Sequence, residues 1–173
     1  MQSRTEELLA SLDSAHETLL SAIACVPAAL REQRPAENRW SAAEVVEHLA
    51  IVEDRIVELL TQQLANPTDT PAQSIPTLTV EALTDRSLKR VASEASQPSG
   101  SLVMEEALDA LNGVRVGTGE MIRTARDYPV DRVALPHPAL GTLDFRTWIV
   151  FIAGHQTRHA AQIREIGEML AGQ

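Results

Sequence analysis

The run Phe145-Arg-Thr-Trp148-Ile-Val-Phe-Ile152-Ala-Gly-His155-Gln-Thr-Arg158-His159-Ala-Ala-Gln162-Ile163-Arg-Glu-Ile166 holds the residues best suited to chemistry. Read at helical period, Trp148, Ile152, His155, His159, Ile163 and Ile166 share one stripe. Two histidines thus stand where leucine or isoleucine is expected. At i and i+4 their side chains leave the same side of a helix, about 5–6 Å apart at Cβ, so both imidazoles can converge on one metal ion. A buried imidazole needs hydrogen-bond or metal partners. The pair therefore also fits as core histidines bonded to polar groups of neighbouring helices, and on these two residues alone both readings stand. A third histidine tips the balance toward a metal. In Trp40-Ser41-Ala-Ala-Glu44-Val-Val-Glu47-His48-Leu49, His48 falls on an inward stripe with Val45, Val52, Ile56 and Leu59. Three neutral imidazoles from two packed helices make a three-nitrogen site with an open position. Such a site suits Zn²⁺, and imidazole also suits Fe, Ni and Cu.

These segments resemble the DinB/YfiT-like superfamily of small metal-binding four-helix proteins. One signature, W-S-x-x-E-x-x-x-H-L, is present from Trp40 to Leu49. The other, H-P-x-x-G-x-L followed by H-x-x-R-H-x-x-Q-I, is present as His137 to Leu143 and then His155 to Ile163. The resemblance spans essentially the whole chain and implies that His48, His155 and His159 are the metal ligands. It also implies an all-α four-helix bundle with a long crossover, a divalent transition metal (Zn, Ni, Fe or Mn) and pairing of helices into a homodimer. Some relatives are thiol-dependent S-transferases or isomerases that use low-molecular-weight thiols such as mycothiol or bacillithiol with a small-molecule substrate. The expected function is therefore a metal-dependent thiol transferase. The alternatives are a non-catalytic metal-binding stress or structural protein, and a metal-dependent hydrolase.

Two further residues are candidates for holding a cosubstrate. Arg115 sits on an inward stripe with Leu111, Thr118 and Ile122, and arginine there is similar to the family pattern. A guanidinium so placed can bind the acidic arm of a thiol, or pair with an acidic residue of another helix. Gln162, one turn beyond His159, can donate to a ligand of the metal or bond across the bundle. Glu44 starts a helix as the partner of Ser41 in a capping box, with a role behind the His48 imidazole as the sharper reading. Glu44 and Glu47 are the carboxylates nearest to the histidines in sequence. His16 reads as a helix-flank histidine in contact with solvent, with pocket lining or a fourth ligand as the alternative, and His137 as a turn histidine exposed to solvent, with a proton shuttle at the metal rim as the alternative.

Composition narrows the class. The chain has 173 residues, 44% of them hydrophobic, enough for one domain (1–173) with a real core. Its net charge of −9 and pI of about 5.0 argue against a nucleic-acid surface, as does an aromatic content of 3%. Cys25 is the single cysteine, which excludes an internal disulfide and a Cys₄ zinc site, and it lacks a local activating partner. No G-x-S-x-G occurs. No apolar run approaches a membrane span, and the N-terminus lacks a signal-like apolar core, so a cytoplasmic protein without membrane contact is expected.

Helical periodicity predicts a first helix from about Thr5 to Val26 and a second from the Ser41 cap to about Leu64. A Pro-rich loop follows over 66–78, then a short helix capped by Thr79 over about 80–95. A third bundle helix covers about Leu102 to Arg126. An extended piece covers 130–135, and a last helix capped by Thr142 or Asp144 ends near Ala171.

Overall fold

The computed structural model describes residues 4–67, 78–85, 92–125, 128, 130–138 and 140–172. Four long helices form the bundle: α1 (Arg4–Ala24), α2 (Ala42–Ala65), α4 (Met104–Ala125) and α5 (Phe145–Ala171), with a short α3 (Val80–Thr84) in the long crossover between α2 and α4. Strands β1 (Ala134–His137) and β2 (Gly141–Asp144) form an antiparallel hairpin ahead of α5, pairing Ala134 with Asp144 and His137 with Gly141. The all-α, four-helix expectation holds, and each bundle helix lies within two residues of its expected start and end. The Pro-rich loop falls almost wholly outside the described residues.

Local chemistry sets the helix starts. Ser41 Oγ accepts the Glu44 N–H at 3.1 Å while the Glu44 carboxylate accepts the Ser41 N–H at 2.8 Å, closing the capping box of α2. Asp144, rather than Thr142, caps α5 by accepting the Thr147 N–H at 2.7 Å. Gly141 turns the hairpin at φ +81°, where a side chain would be strained. Trp148 Nε1 donates to the Leu135 carbonyl at 3.3 Å and ties the hairpin to α5.

The structure differs from the sequence reading in the crossover. Among the described residues of 80–95, helix covers Val80–Thr84, with Asp85 leaving helical geometry at ψ 111°, and a 3₁₀ turn occupies Glu94–Ser96. The Thr79 cap is present, its hydroxyl accepting the Ala82 N–H at 3.2 Å. The extended piece expected over 130–135 begins as a 3₁₀ turn at Val130–Arg132 and becomes strand at Ala134.

The apolar core falls into two clusters. One gathers Leu12, Ile56, Leu60, Ile122, Leu143 and Ile149; the other gathers Leu19, Val26, Val45, Leu111, Ile163 and Ile166. Each fully buried aliphatic side chain contributes on the order of 1.5–3 kcal/mol. Between the clusters lies a layer of buried polar side chains: His48, Glu53, Thr118, Gln156 and His159. Such a layer is tolerated only if its members are bonded.

Gly154 lets α3 settle on α5. A Cβ at Gly154 would lie 2.5 Å from Leu83 Cδ1 and 2.8 Å from Leu83 Cβ. In an exposed helix, Gly→Ala gains about 1 kcal/mol. Gly154→Ala is instead expected to cost about 1–3 kcal/mol, because Leu83 must leave its seat. Urea unfolding reads the sign, and a stabilised variant would show that α3 does not pack there.

Candidate metal centre

His155 and His159 sit one turn apart on α5, and His48 faces them from α2. Nε2 of His155 and Nε2 of His159 are 3.1 Å apart. The His48 ring centroid is 5.2 Å from that of His155 and 5.0 Å from that of His159. One ligand nitrogen from each ring lies within 4.8 Å of the other two. A tetrahedral site with metal–nitrogen bonds of 2.0–2.1 Å needs its nitrogens roughly 3.3 Å apart. The His155–His159 pair is already near that separation, and His48 offers the third nitrogen from the facing helix. The residues fit a divalent transition metal.

The outward nitrogens of two rings are committed. His48 Nδ1 is 2.6 Å from the Ser96 carbonyl. A carbonyl only accepts, so Nδ1 carries the proton and Nε2 keeps its lone pair. His159 Nδ1 is 2.8 Å from Gln162 Oε1, with the same consequence. His159 Nε2 is then an acceptor toward His155 Nε2, whose proton must leave or move to Nδ1 when an ion binds between them.

Electrostatics favour the neutral form of His48 and His155, the form that binds metal. Burial pushes the His155 imidazole well below its ordinary 6.5; His159, His48, Arg158 and His137 push in the same direction. His48 is lowered by burial, against a smaller upward pull from the Ser96 carbonyl. The unfolded chain takes up these protons near 6.5 and the folded chain only at lower pH. Stability from these groups is therefore complete above the unfolded value and lost as pH falls through it toward the depressed values. The metal-free protein is expected to melt at progressively lower temperature below about pH 6.5. Melts of chelator-treated protein across that range check this, and a melting temperature that rises on acidification would contradict it.

Rings surround the centre. Trp40 lies 4.9 Å from His48, and Phe151 stacks on His155 at 5.4 Å with planes 16° apart. His137 was expected in a solvent-facing turn. It is instead a half-buried residue at the end of β1, packed on Phe151 at 4.7 Å and Trp148 at 5.4 Å. The hairpin register brings it there, and its Nδ1 accepts the Leu140 N–H at 3.1 Å.

The other candidates have other partners. Glu44 closes the cap and pairs with Arg34, and does not stand behind His48. Burial raises its carboxyl pKa, but bonds from Arg34 and Ser41 outweigh that and bring it down. Glu47 accepts backbone N–H groups of Ser99 and Gly100. Gln162 holds His159 within its own helix rather than bonding across the bundle. Arg115 Nη2 donates to Glu53 at 3.1 Å, and Thr118 Oγ1 donates to the same carboxylate at 2.6 Å. Gln156 Nε2 approaches it at 3.5 Å. Burial pushes the Glu53 carboxyl up while Arg115 and Thr118 pull it back.

Glu53 and Gln156 line a narrow cleft with His155, Leu49, Val52 and Ile152. Arg115 opens on a separate groove of about 440 Å³ lined from α1 and α4 by Leu12, Asp13, Gly119 and Arg123. His16, on α1, is outside the three-histidine cluster; burial lowers its pKa, as does the neighbouring Arg115. Sequence reading passed over Glu53, although it lies on the inward stripe between Leu49 and Ile56 and is a natural partner for an inward arginine. Ser96 had no signal, because a backbone carbonyl carries none.

Fold and site together define a four-helix bundle whose facing helices α2 and α5 bring three histidines together, an arrangement compatible with metal binding. The chain matches the DinB superfamily profile over residues 6–163 and belongs to that superfamily. It is 31% identical over 142 residues to the uncharacterized protein YuaE of Bacillus subtilis (strain 168), covering 80% of this chain and 83% of that one. It also superposes on the crystal structure of TT2238, a four-helix bundle protein, with a TM-score of 0.61 at 21% identity. That match covers 93% of this chain and 98% of the other, and bears on the fold alone. Among the described residues, no helix is long and apolar enough to cross a membrane.

Proposed function

We propose that this chain is a metal-dependent thiol S-transferase in which His48, His155 and His159 hold one divalent transition metal and a low-molecular-weight thiol is the cosubstrate. The observation that carries the reading is the convergence of three imidazoles, two of them oriented from behind by Ser96 and Gln162. A metal there supplies Lewis acidity, lowering the pKa of a group that it binds.

The neighbouring carboxylates favour a thiol over water as the activated group. Glu44 is engaged by Arg34 and Ser41, Glu47 by Ser99 and Gly100, and Glu53 by Arg115 and Thr118. None of these three is left uncommitted to take a proton from water. A thiol, with a pKa of about 8.5, needs far less help to ionise than water at about 15.7. The commitment of all three carboxylates weighs against the hydrolase reading. Phe151 and Trp40 pack against His155 and His48 on the flanks of the site. Arg115 is the candidate contact for an acidic group of the thiol; Nη2 is held by Glu53, and Nε and Nη1, buried without a hydrogen-bond partner among the described residues, would have to be uncovered to reach it. Assembly as a homodimer and a cytoplasmic setting belong to the same reading.

The test is product formation from metal-loaded protein, a panel of thiols that includes mycothiol and bacillithiol, and a model electrophile. Turnover above the uncatalysed rate should vanish on chelation and return on reloading. Turnover that survives complete metal removal would sink the proposal. Metal binding without turnover for any thiol would favour the non-catalytic reading.

A further inference from the structure

The segment from Ser93 to Ser101 crosses α2 as a strap, and among the described residues its hydrogen bonds come from the helix carrying His48 and from its own side chains. Ser96 Oγ donates to the Ser93 carbonyl at 3.0 Å and fixes the turn. Arg55 donates to the Ala95 carbonyl at 2.9 Å. Glu47 takes the Ser99 N–H on Oε1 at 2.8 Å and the Gly100 N–H on Oε2 at 3.3 Å. The Ser96 carbonyl receives His48 Nδ1 at 2.6 Å.

Glu47 is only 6% exposed, and among the described residues its recorded partners are those two amides, with no cation paired to it. A carboxylate buried that deeply is costly unless hydrogen-bonded. The closed strap is what bonds it, so carboxylate and strap stabilise each other. Gly100 makes this geometry available. Its φ of +72° turns two successive N–H groups toward one carboxylate, and a Cβ there would lie 2.9 Å from Glu44 Oε1.

Resting on the three-histidine metal reading, we infer that Glu47 is a positioning residue for the metal centre, acting through the strap. By holding residues 99 and 100 it keeps the Ser96 carbonyl on His48 Nδ1, which fixes the tautomer and aims Nε2 at His155 and His159. Glu47 touches neither metal nor substrate in this role. The device runs from carboxylate to backbone to imidazole.

The experiment uses the full chain as wild type, Glu47→Gln, Glu47→Ala and Gly100→Ala. Zinc affinity is measured by chelator competition, the fold by far-UV circular dichroism, and the His48 tautomer by side-chain ¹⁵N NMR on metal-free protein. The expected result is a zinc affinity about 10–100-fold weaker in Glu47→Ala, as for other groups behind a ligand imidazole. Gly100→Ala should weaken it in the same direction from the other end of the contact. Glu47→Gln, which keeps one acceptor, should fall between. In the wild type His48 should carry its proton on Nδ1, and both alanine variants should show mixed tautomers.

Unchanged tautomer and unchanged affinity in folded variants, even with a lowered melting temperature, would overturn the inference and leave Glu47 a loop anchor only. If Glu47→Ala does not fold, Gly100→Ala decides by the same readings. If wild-type protein binds no zinc, the metal reading fails by itself. The tautomer comparison then still upholds or overturns the link from Glu47 through the strap to His48.

Discussion

Replacing His155 by alanine is expected to take bound metal from about one ion per chain to none. Burial and the neighbouring histidines press His155 toward the neutral form, and it lies between His159 at 3.1 Å and the cleft beside Glu53 and Gln156. Without it, His48 and His159 are left as a two-nitrogen pair drawn from different helices. The variant should still fold, because alanine is a strong helix former and α5 keeps Trp148, Ile152, Ile163 and Ile166 on its buried face. Elemental analysis of tag-free protein, with His48→Ala and His159→Ala beside it, makes the comparison. Metal retained in all three variants would mean that the ion sits elsewhere. A wild type that stays empty after reconstitution with Zn, Ni, Mn and Fe(II) would make the three histidines ordinary core residues, and the enzyme proposal would fall with them.

The second large effect is on stability. Arg115 and Glu53 are a cross-bundle ion pair with side chains only 14% and 3% exposed. Arg115→Met keeps the volume and removes the charge, leaving the Glu53 carboxylate buried with Thr118 and Gln156 as its remaining partners. Removing one partner of such a pair typically costs about 3–5 kcal/mol. Urea unfolding should show a loss of that order while zinc content stays at the wild-type level, since Arg115 lies across Glu53 from the histidines. Adding Glu53→Met should recover most of the loss, because an apolar pair of similar volume is often neutral or better. In that double variant the Thr118 hydroxyl, released from Glu53, can donate to the Val114 carbonyl, 3.1 Å away. A single variant as stable as wild type would show that the pair contributes nothing net.

These two experiments probe residues of very different visibility in the sequence. His155 and His159 are legible because helical spacing alone puts them on one face, and His48 because it interrupts an apolar stripe of α2. The bundle is legible for the same reason: Leu, Ile, Val and Ala recur at helical spacing, and Ser41 and Glu44 announce a helix start. Arg115 was visible as an inward charge, but its partner depends on how α2 and α4 pack, and a one-dimensional pattern carries no such information. Glu47 stood out in the sequence only as one of the two carboxylates nearest to the histidines. Its occupation by Ser99 and Gly100 is set by a loop about fifty residues away that returns over α2. His137 was misplaced because two flanking prolines suggested an exposed turn, whereas the hairpin register lays the ring against Phe151 and Trp148. The helix expected over 80–95 shows the limit of propensity in a crossover, where Asp85 ends it after about one turn.

The ring contacts around the centre have an optical consequence. The chain holds two tryptophans, and each rests against a histidine: Trp40 on His48 at 4.9 Å and Trp148 on His137 at 5.4 Å. Indole emission is sensitive to a charged or paramagnetic neighbour at that range. Protonation of His48, or loading of the centre with Cu²⁺ or Ni²⁺, should quench the light from Trp40 while Zn²⁺ leaves it bright. A Trp148→Phe chain would isolate that signal. The protein thus carries its own fluorescent gauge of what its histidines hold, readable without a label at micromolar concentration.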